Sequence, residues 1–169
     1  MNAVYNFCAG PAMLPKVVIE KAQSEFINSQ QHGISIMEFS HRDKNFMDVA
    51  QAAEANLRTL MNIPDNYKVL FCHGGGRGQF AAVPMNLIGM TGKADYLVTG
   101  SWSKSAVIEA KKYGEVNVVA TQTSIDGQNG VASAGDWQLS DDAAYFHYCP
   151  NETVDGIEMS EEPQVNVPL

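Results

Sequence analysis

A glycine-rich run with one arginine is the part of the sequence best suited to chemistry. Four glycines and Arg77 lie within segment 72–79. Glycine lets the backbone approach a ligand closely and adopt positive φ, and a guanidinium forms two parallel hydrogen bonds with phosphate. The run lies between a predicted strand and a predicted helix, and a helix amino terminus offers free N–H groups and a positive dipole end. It therefore predicts a phosphate site; the alternative is a structural glycine-rich turn.

The sequence excludes one class of phosphate loop and leaves another open. A Walker A loop needs Gly-x4-Gly-Lys-Ser/Thr, and the Gly-Lys pair in segment 92–94 is followed by Ala94 and lacks the first glycine. A dinucleotide fingerprint is present in a loose form, as Gly76, Gly78 and Ala81. The acid expected near the end of the next strand is missing. A dinucleotide-binding or other non-catalytic phosphate-binding α/β module remains the alternative function.

Two further candidates follow predicted strands. Trp102 comes after the strand predicted at 96–99 and is suited either to stacking on a bound planar ring or to packing on the core. Segment 150–153 (Pro-Asn-Glu-Thr) comes after the strand predicted at 144–149. Its Asn and Thr side chains can reach a ligand, or can form a helix cap or an Asx turn.

A histidine–arginine pair lies in the irregular segment 34–43. His41 and Arg42 are adjacent there and suit an anionic substrate group. The alternative is a solvated surface pair. The four histidines of the chain show no metal-ligand spacing with cysteines or acids, so we predict no metal site.

The hydrophobic pattern alternates between helix and strand periods. This order predicts an α/β fold with a mostly parallel sheet and flanking helices. We predict a loop over 121–138 and an extended arm over 1–14. The predicted helices cover about 15–29, 44–62, 79–87 and 103–113, and the predicted strands cover 68–72, 96–99, 116–120 and 144–149.

Composition excludes several classes of partner. The chain has 169 residues and a net charge of −8, which disfavours nucleic acid and anionic membrane surfaces. Its three cysteines argue against a disulfide framework and for a reducing compartment. No signal peptide or membrane-length apolar run is visible, so we expect a cytoplasmic protein.

Several of these segments together resemble the phosphoserine aminotransferases, which are pyridoxal 5'-phosphate (PLP)-dependent transaminases of fold type I. The resemblance extends over nearly the whole chain. It implies a homodimer that moves an amino group between glutamate and 3-phosphohydroxypyruvate in serine biosynthesis, and in many bacteria also serves pyridoxine biosynthesis. The matching segments are Asn6-Phe7-Cys8-Ala9-Gly10-Pro11-Ala12, Ser40-His41-Arg42, the run from Phe71 through Pro84, Trp102, and His147-Tyr148-Cys149-Pro150-Asn151-Glu152-Thr153.

The resemblance also implies residue roles. Gly76 and Arg77 would hold the PLP phosphate, Trp102 would stack on the pyridine ring, and Thr153 would hydrogen-bond the cofactor. His41 and Arg42 would meet the anionic groups of the substrate.

The sequence departs from this family in two ways. Ala9 stands where the family usually has a serine that approaches the substrate, so no role is carried over there. Members of the family are also about twice as long. The resemblance places the Schiff-base lysine, the aspartate at the pyridine nitrogen and the small domain beyond Leu169. We therefore expect residues 15–169 to be a partial large domain, inactive alone, and regard Lys104 as a poor substitute lysine.

Overall fold

The computed structural model describes residues 4–125 and 127–169. Residues 1–3 of the predicted arm therefore lie outside the described residues, as does residue 126 of the predicted loop. The chain divides into two compact units, Met1–Phe71 and Cys72–Leu169. This boundary falls inside the region predicted as one partial large domain.

Two helices dominate the first unit. Helix α1 spans Lys16–Glu25 and is shorter than the predicted 15–29. Helix α2 spans Lys44–Met61 and confirms the prediction for 44–62. Asp43 caps α2 by accepting a hydrogen bond from Asn45 N at 2.8 Å, and Asn62 ends it in the left-handed conformation.

The predicted strand at 68–72 is wrong. These residues have no strand assignment, and Leu70 and Phe71 are 77% and 65% exposed. A buried strand needs ladder partners for its backbone N–H and C=O groups. None of the strands among the described residues pairs with this segment, which explains why an apolar run alone does not make a strand here.

The second unit is built on a three-stranded parallel sheet. Strand β1 (Lys93–Val98) is central, with β2 (Glu115–Thr121) on one side. Two antiparallel pairs follow elsewhere in the unit: β3 (Thr123–Ile125) with β4 (Gln128–Gly130), and β6 (Asn151–Glu152) with β7 (Ile157–Glu158). The third strand of the parallel sheet, beside β1, is β5 (Phe146–His147).

Helices α3 (Gly75–Leu87) and α4 (Ser101–Ala110) accompany the parallel sheet. Residues of β1 alternate between two apolar clusters, as strand geometry requires. Tyr96 packs in the cluster that contains α3 and α4 residues, while Leu97 packs with Val119 and Phe146. The predicted mostly parallel sheet with flanking helices is thus confirmed.

Several predicted boundaries shift. Helix α3 begins at Gly75 rather than near 79, so the glycines form its first turn instead of a preceding loop. Pro84 lies within α3 without ending it. The segment predicted as loop over 121–138 contains the β3–β4 pair.

None of the helices in the described ranges is both long enough and apolar enough to cross a membrane. Within the same ranges, no group of three or more His, Cys, Asp or Glu side chains is arranged to hold a metal ion.

Candidate phosphate-binding and ring-stacking site

A cavity of about 550 Å³ opens in the second unit. It is lined by the first turn of α3, by Phe80, by Trp102 and by residues 147–151. Trp102 lies just beyond the carboxyl end of β1, and residues 148–151 follow β5. Ligands in open α/β sheets bind outside this edge of the strands, so the cavity is where the fold favours a ligand.

The first turn of α3 forms one wall and is suited to an anion. Gly74 and Gly75 have positive φ values of 94° and 58°, a conformation that glycine adopts at little cost. The N–H of Gly78 donates to Gly74 O at 3.1 Å, while the N–H groups of the residues before it precede the helical hydrogen-bond ladder. These donors and the positive end of the helix dipole suit the turn to an anion.

Gly76 leaves open space beside the helix. A Cβ built on Gly76 meets no atom within 4 Å, and its φ does not require glycine. The position that a Cβ would occupy on Gly76 is therefore open space. Arg77, the next residue, also lines the cavity. The two residues predicted to hold a phosphate are thus adjacent on the same wall.

Trp102 faces the cavity from the first turn of α4. Its indole N–H donates to the hydroxyl of Thr153 at 3.1 Å, which joins two predicted site residues. The aromatic face of Trp102 is suited to stacking on a planar ring. Gly76, Arg77 and Trp102 therefore line one cavity, and Thr153 contacts Trp102 beside it.

His147 is a cavity residue for which we predicted no separate role. Its ring stacks on Tyr96 at 4.7 Å between centroids, and its buried Nδ1 has no hydrogen-bond partner among the described residues. Burial lowers the pKa of His147 to about 4, against the opposing charge of Glu152. The imidazole is neutral at pH 7. In the sequence, the signal that could have identified His147 is its position near the end of a predicted strand, just before the polar segment 150–153.

Cys149 also lines the cavity. Burial, assisted by the negative charge of Glu152, raises the pKa of its thiol to about 12. A thiol with so high a pKa is protonated at neutral pH and is a poor nucleophile.

The residues that line the cavity include neither a lysine nor an acidic side chain. Lys104 lies on α4, two residues after Trp102, but is exposed and does not line this cavity. The described residues that line the cavity thus include a helix amino terminus, an arginine and a tryptophan ring, but no amine that could attack a carbonyl.

His41 and Arg42 belong to the first unit. Both are exposed in a turn that leads into α2, where Arg42 N donates to Ser40 Oγ at 3.2 Å. Their predicted contact with the substrate remains a prediction.

Comparison with known proteins places these features in a family context. A family model described as aminotransferase class-V matches residues 4–166. The chain is 56% identical over 165 residues to the phosphoserine aminotransferase of Acinetobacter baylyi, covering 98% of the chain and 46% of that relative. It thus spans about half the length of the curated relatives it matches.

Two solved structures are similar as well. The PLP-bound phosphoserine aminotransferase of Trichomonas vaginalis superimposes with a TM-score of 0.91 at 42% identity, over 98% of this chain and 47% of that one. The phosphoserine aminotransferase of Bacillus circulans subsp. alkalophilus gives a TM-score of 0.90 at 42% identity, over 98% and 46%.

Proposed function

The chain belongs to the class-V aminotransferase family, and we propose that it is part of a phosphoserine aminotransferase. The reaction proposed is transfer of an amino group between glutamate and 3-phosphohydroxypyruvate in serine biosynthesis. The proposal includes a second substrate, a related phosphorylated keto acid of pyridoxine biosynthesis. The observation that carries the proposal is one cavity that combines a glycine-rich helix amino terminus with the ring of Trp102.

The cofactor proposed is PLP, and the cavity fits its phosphate end. The N–H groups of the first turn of α3, including those of Gly76 and Arg77, would hold the phosphate, which carries the negative charge that a helix amino terminus stabilises. The open space at Gly76 lets the phosphate approach the backbone.

The cavity also fits a planar aromatic ring. Trp102 would stack on the pyridine ring of PLP and hold it in one plane. Thr153 accepts a hydrogen bond from the Trp102 indole, so its own hydroxyl hydrogen is free to be donated to a cofactor oxygen. When bound, PLP supplies the electron sink that amino-group transfer needs.

The rest of the proposed reaction needs groups that the cavity lining lacks. The lysine that binds the cofactor and the aspartate beside the pyridine nitrogen would come from a segment outside residues 1–169. We therefore propose that residues 15–169 are one part of a PLP-binding large domain, preceded by an arm at 1–14, and that this part is inactive alone. Homodimerisation and a cytoplasmic location belong to the same proposal.

His41 and Arg42 are proposed to bind the anionic groups of the substrate. Arg42 carries a planar guanidinium that matches phosphate or carboxylate with two hydrogen bonds. His41 lies beside it in an exposed turn.

A titration separates this proposal from the alternative of a dinucleotide-binding module. The protein is extended to the length of its relatives through its own reading frame, called the full-length protein below. PLP and NAD are then titrated separately. We expect PLP to bind with a change in its visible and near-ultraviolet absorbance, and NAD not to bind. Binding of NAD with no binding of PLP would contradict the proposal.

A further inference from the structure

The second helix amino terminus at this edge of the sheet is already bonded to carboxylates of the chain itself. Ser101 N donates to Asp155 Oδ2 at 2.7 Å. Trp102 N donates to Glu152 Oε2 and Ser103 N donates to Glu152 Oε1, each at 2.8 Å. The first three N–H groups of α4 are thus occupied, in contrast to those of α3, and α4 is not available to an external anion.

A short hairpin delivers these two carboxylates. Glu152 is the last residue of β6, and its carbonyl oxygen accepts hydrogen bonds from Asp155 N at 3.1 Å and Gly156 N at 2.8 Å. Gly156 has a φ of 70°, which allows the turn to close. The hairpin places Glu152 with no exposed surface against the first turn of α4.

The contact between hairpin and helix is close and specific. A Cβ on Gly100 would lie 2.5 Å from Asp155 Oδ2 and 2.7 Å from Glu152 Cδ, so the carboxylates approach only because this residue is glycine. The Ser103 hydroxyl donates to Glu152 Oε1 at 2.5 Å. The same oxygen of Ser103 accepts from Thr99 N at 2.9 Å. Glu152 is therefore part of a buried network rather than a solvated charge.

Trp102 is the residue held at both ends by this hairpin. Its backbone N–H is bonded to Glu152, and its indole N–H is bonded to Thr153, the next residue along the hairpin. Hydrogen bonds from N–H groups to a carboxylate are among the stronger ones in proteins. Fixing both ends restricts rotation of the ring that forms one wall of the cavity.

We propose that Glu152 is a positioning residue: it fixes the first turn of α4 and thereby holds the Trp102 ring in the orientation that stacks on the cofactor. This inference rests on the function proposed above. Glu152 is not among the residues that line the cavity, so its contacts act on the cavity wall through Trp102.

Apart from these contacts, the negative charge of Glu152 also affects the pKa values of two residues that line the cavity. It opposes the depression of the His147 pKa and adds to the elevation of the Cys149 pKa. Both residues line the cavity, so the carboxylate lies close behind its wall.

The test is Glu152→Gln in the full-length protein labelled with 5-fluorotryptophan. The Trp102 resonance is assigned by its loss in Trp102→Phe. In Glu152→Gln, the amide NH₂ replaces one acceptor and faces a backbone donor, so the first turn of α4 loses a bond and its charge partner. Without PLP, we expect the ¹⁹F resonance of Trp102 to move or broaden. The Kd for PLP should rise about tenfold, as for loss of a hydrogen bond to a charged group.

Asp155→Asn is the matched control. It makes the same carboxylate-to-amide change at the same helix end, but Asp155 bonds to Ser101 N and not to Trp102. We expect its Trp102 resonance to stay in place and its Kd for PLP to change less than about twofold. Equal effects of Asp155→Asn and Glu152→Gln would overturn the positioning role, since both would then reflect general weakening of the helix end.

Ser103→Ala decides the question if Glu152→Gln does not fold. It removes the hydroxyl that donates to Glu152 Oε1, and we expect a smaller change of the same kind in both readouts. An unmoved Trp102 resonance in every folded variant of Glu152 or Ser103 would overturn the inference. Failure of the proposed function looks different: the unmodified protein would not bind PLP, while the resonance would still move in Glu152→Gln.

Discussion

Trp102 and Thr153 are joined by a hydrogen bond of 3.1 Å from the indole N–H to the threonine hydroxyl, across 51 residues of sequence. This bond determines which part of the Thr153 hydroxyl remains available for a further hydrogen bond. An indole N–H is a donor only, so the hydroxyl oxygen is the acceptor in this pair. The hydroxyl hydrogen is left for another acceptor, such as an oxygen of a bound ligand.

This geometry predicts the effect of Thr153→Val. Valine has the shape of threonine without the hydroxyl, so it removes the acceptor for Trp102 and the donor for the cofactor together. We expect the Kd for PLP of the full-length protein to rise about tenfold, which lies within the range for loss of a hydrogen bond. The measurement is an absorbance titration with PLP.

Thr153→Ser is the matched control for that change. It keeps the hydroxyl and removes a methyl group, so PLP affinity should stay within about threefold of the unmodified protein. Equal loss of affinity in the serine and valine variants would show that the hydroxyl is not what binds.

The glycine at the first turn of α3 gives a second prediction. A Cβ at Gly76 meets no atom within 4 Å, so Gly76→Val should leave the thermal midpoint nearly unchanged while filling space that the phosphate needs. We expect PLP affinity to fall about tenfold or more. Gly89→Val, at another glycine with open space, should leave both quantities unchanged. Unaltered PLP affinity in Gly76→Val would rule out a backbone cradle for the phosphate.

The pH dependence of stability gives a third prediction, through His147. Its pKa of about 4 lies below the value of about 6.5 for an unfolded histidine. Between these values the unfolded state binds the extra proton, so stability is full above pH 6.5 and falls as the pH drops towards 4. From pH 7 to pH 5 this single group should cost roughly 2 kcal/mol of unfolding free energy.

His147→Phe tests that assignment. Phenylalanine keeps an aromatic ring against Tyr96, which stacks on His147 at 4.7 Å, and removes the titrating group. Urea unfolding of the full-length protein at several pH values should show a flatter dependence between pH 7 and 5 in the variant. An unchanged slope would mean that His147 does not have the depressed pKa.

A fourth prediction concerns substrate recognition. Arg42→Ala should raise the KM for the phosphorylated keto acid about tenfold or more, because a bidentate contact with an anion is lost, and should leave PLP affinity nearly unchanged. Lys44→Ala, which removes a nearby exposed cation paired with Asp48, is the control and should alter KM little. A KM in Arg42→Ala equal to that of the control would contradict the proposed role.

The sequence predicts an element of the fold well where neighbouring residues determine it, and poorly where residues distant in sequence determine it. Helix α2 was predictable because its apolar period is encoded within one segment and Pro64 follows shortly after its end at Met61. The run 68–72 has strand composition, but a strand also needs a neighbour, and that depends on residues distant in sequence. The β3–β4 pair was missed because its polar composition resembles that of a loop.

The same distinction applies to the site. Gly76, Arg77 and Trp102 could be identified as candidates because the signal for each lies in neighbouring residues: a glycine-rich turn before a helix, and an aromatic residue after a strand. The partners of the first turn of α4 were not identifiable, because its N–H groups are bonded to Glu152 and Asp155, about fifty residues later in the sequence. The hydroxyl oxygen of Ser103 instead accepts hydrogen bonds from the N–H groups of Thr99 and Gly100.

The rate of glutamate-dependent transamination of 3-phosphohydroxypyruvate with added PLP tests the central claim most directly. The rate is measured for residues 1–169 and for the full-length protein side by side, with the intact mass of each confirmed. We predict turnover by the full-length protein, and a rate for residues 1–169 no higher than that of free PLP. No turnover by a folded full-length protein would contradict the assignment to the phosphoserine aminotransferases. Turnover by residues 1–169 that is lost in Lys104→Ala would contradict the claim that the catalytic lysine lies outside this part of the chain.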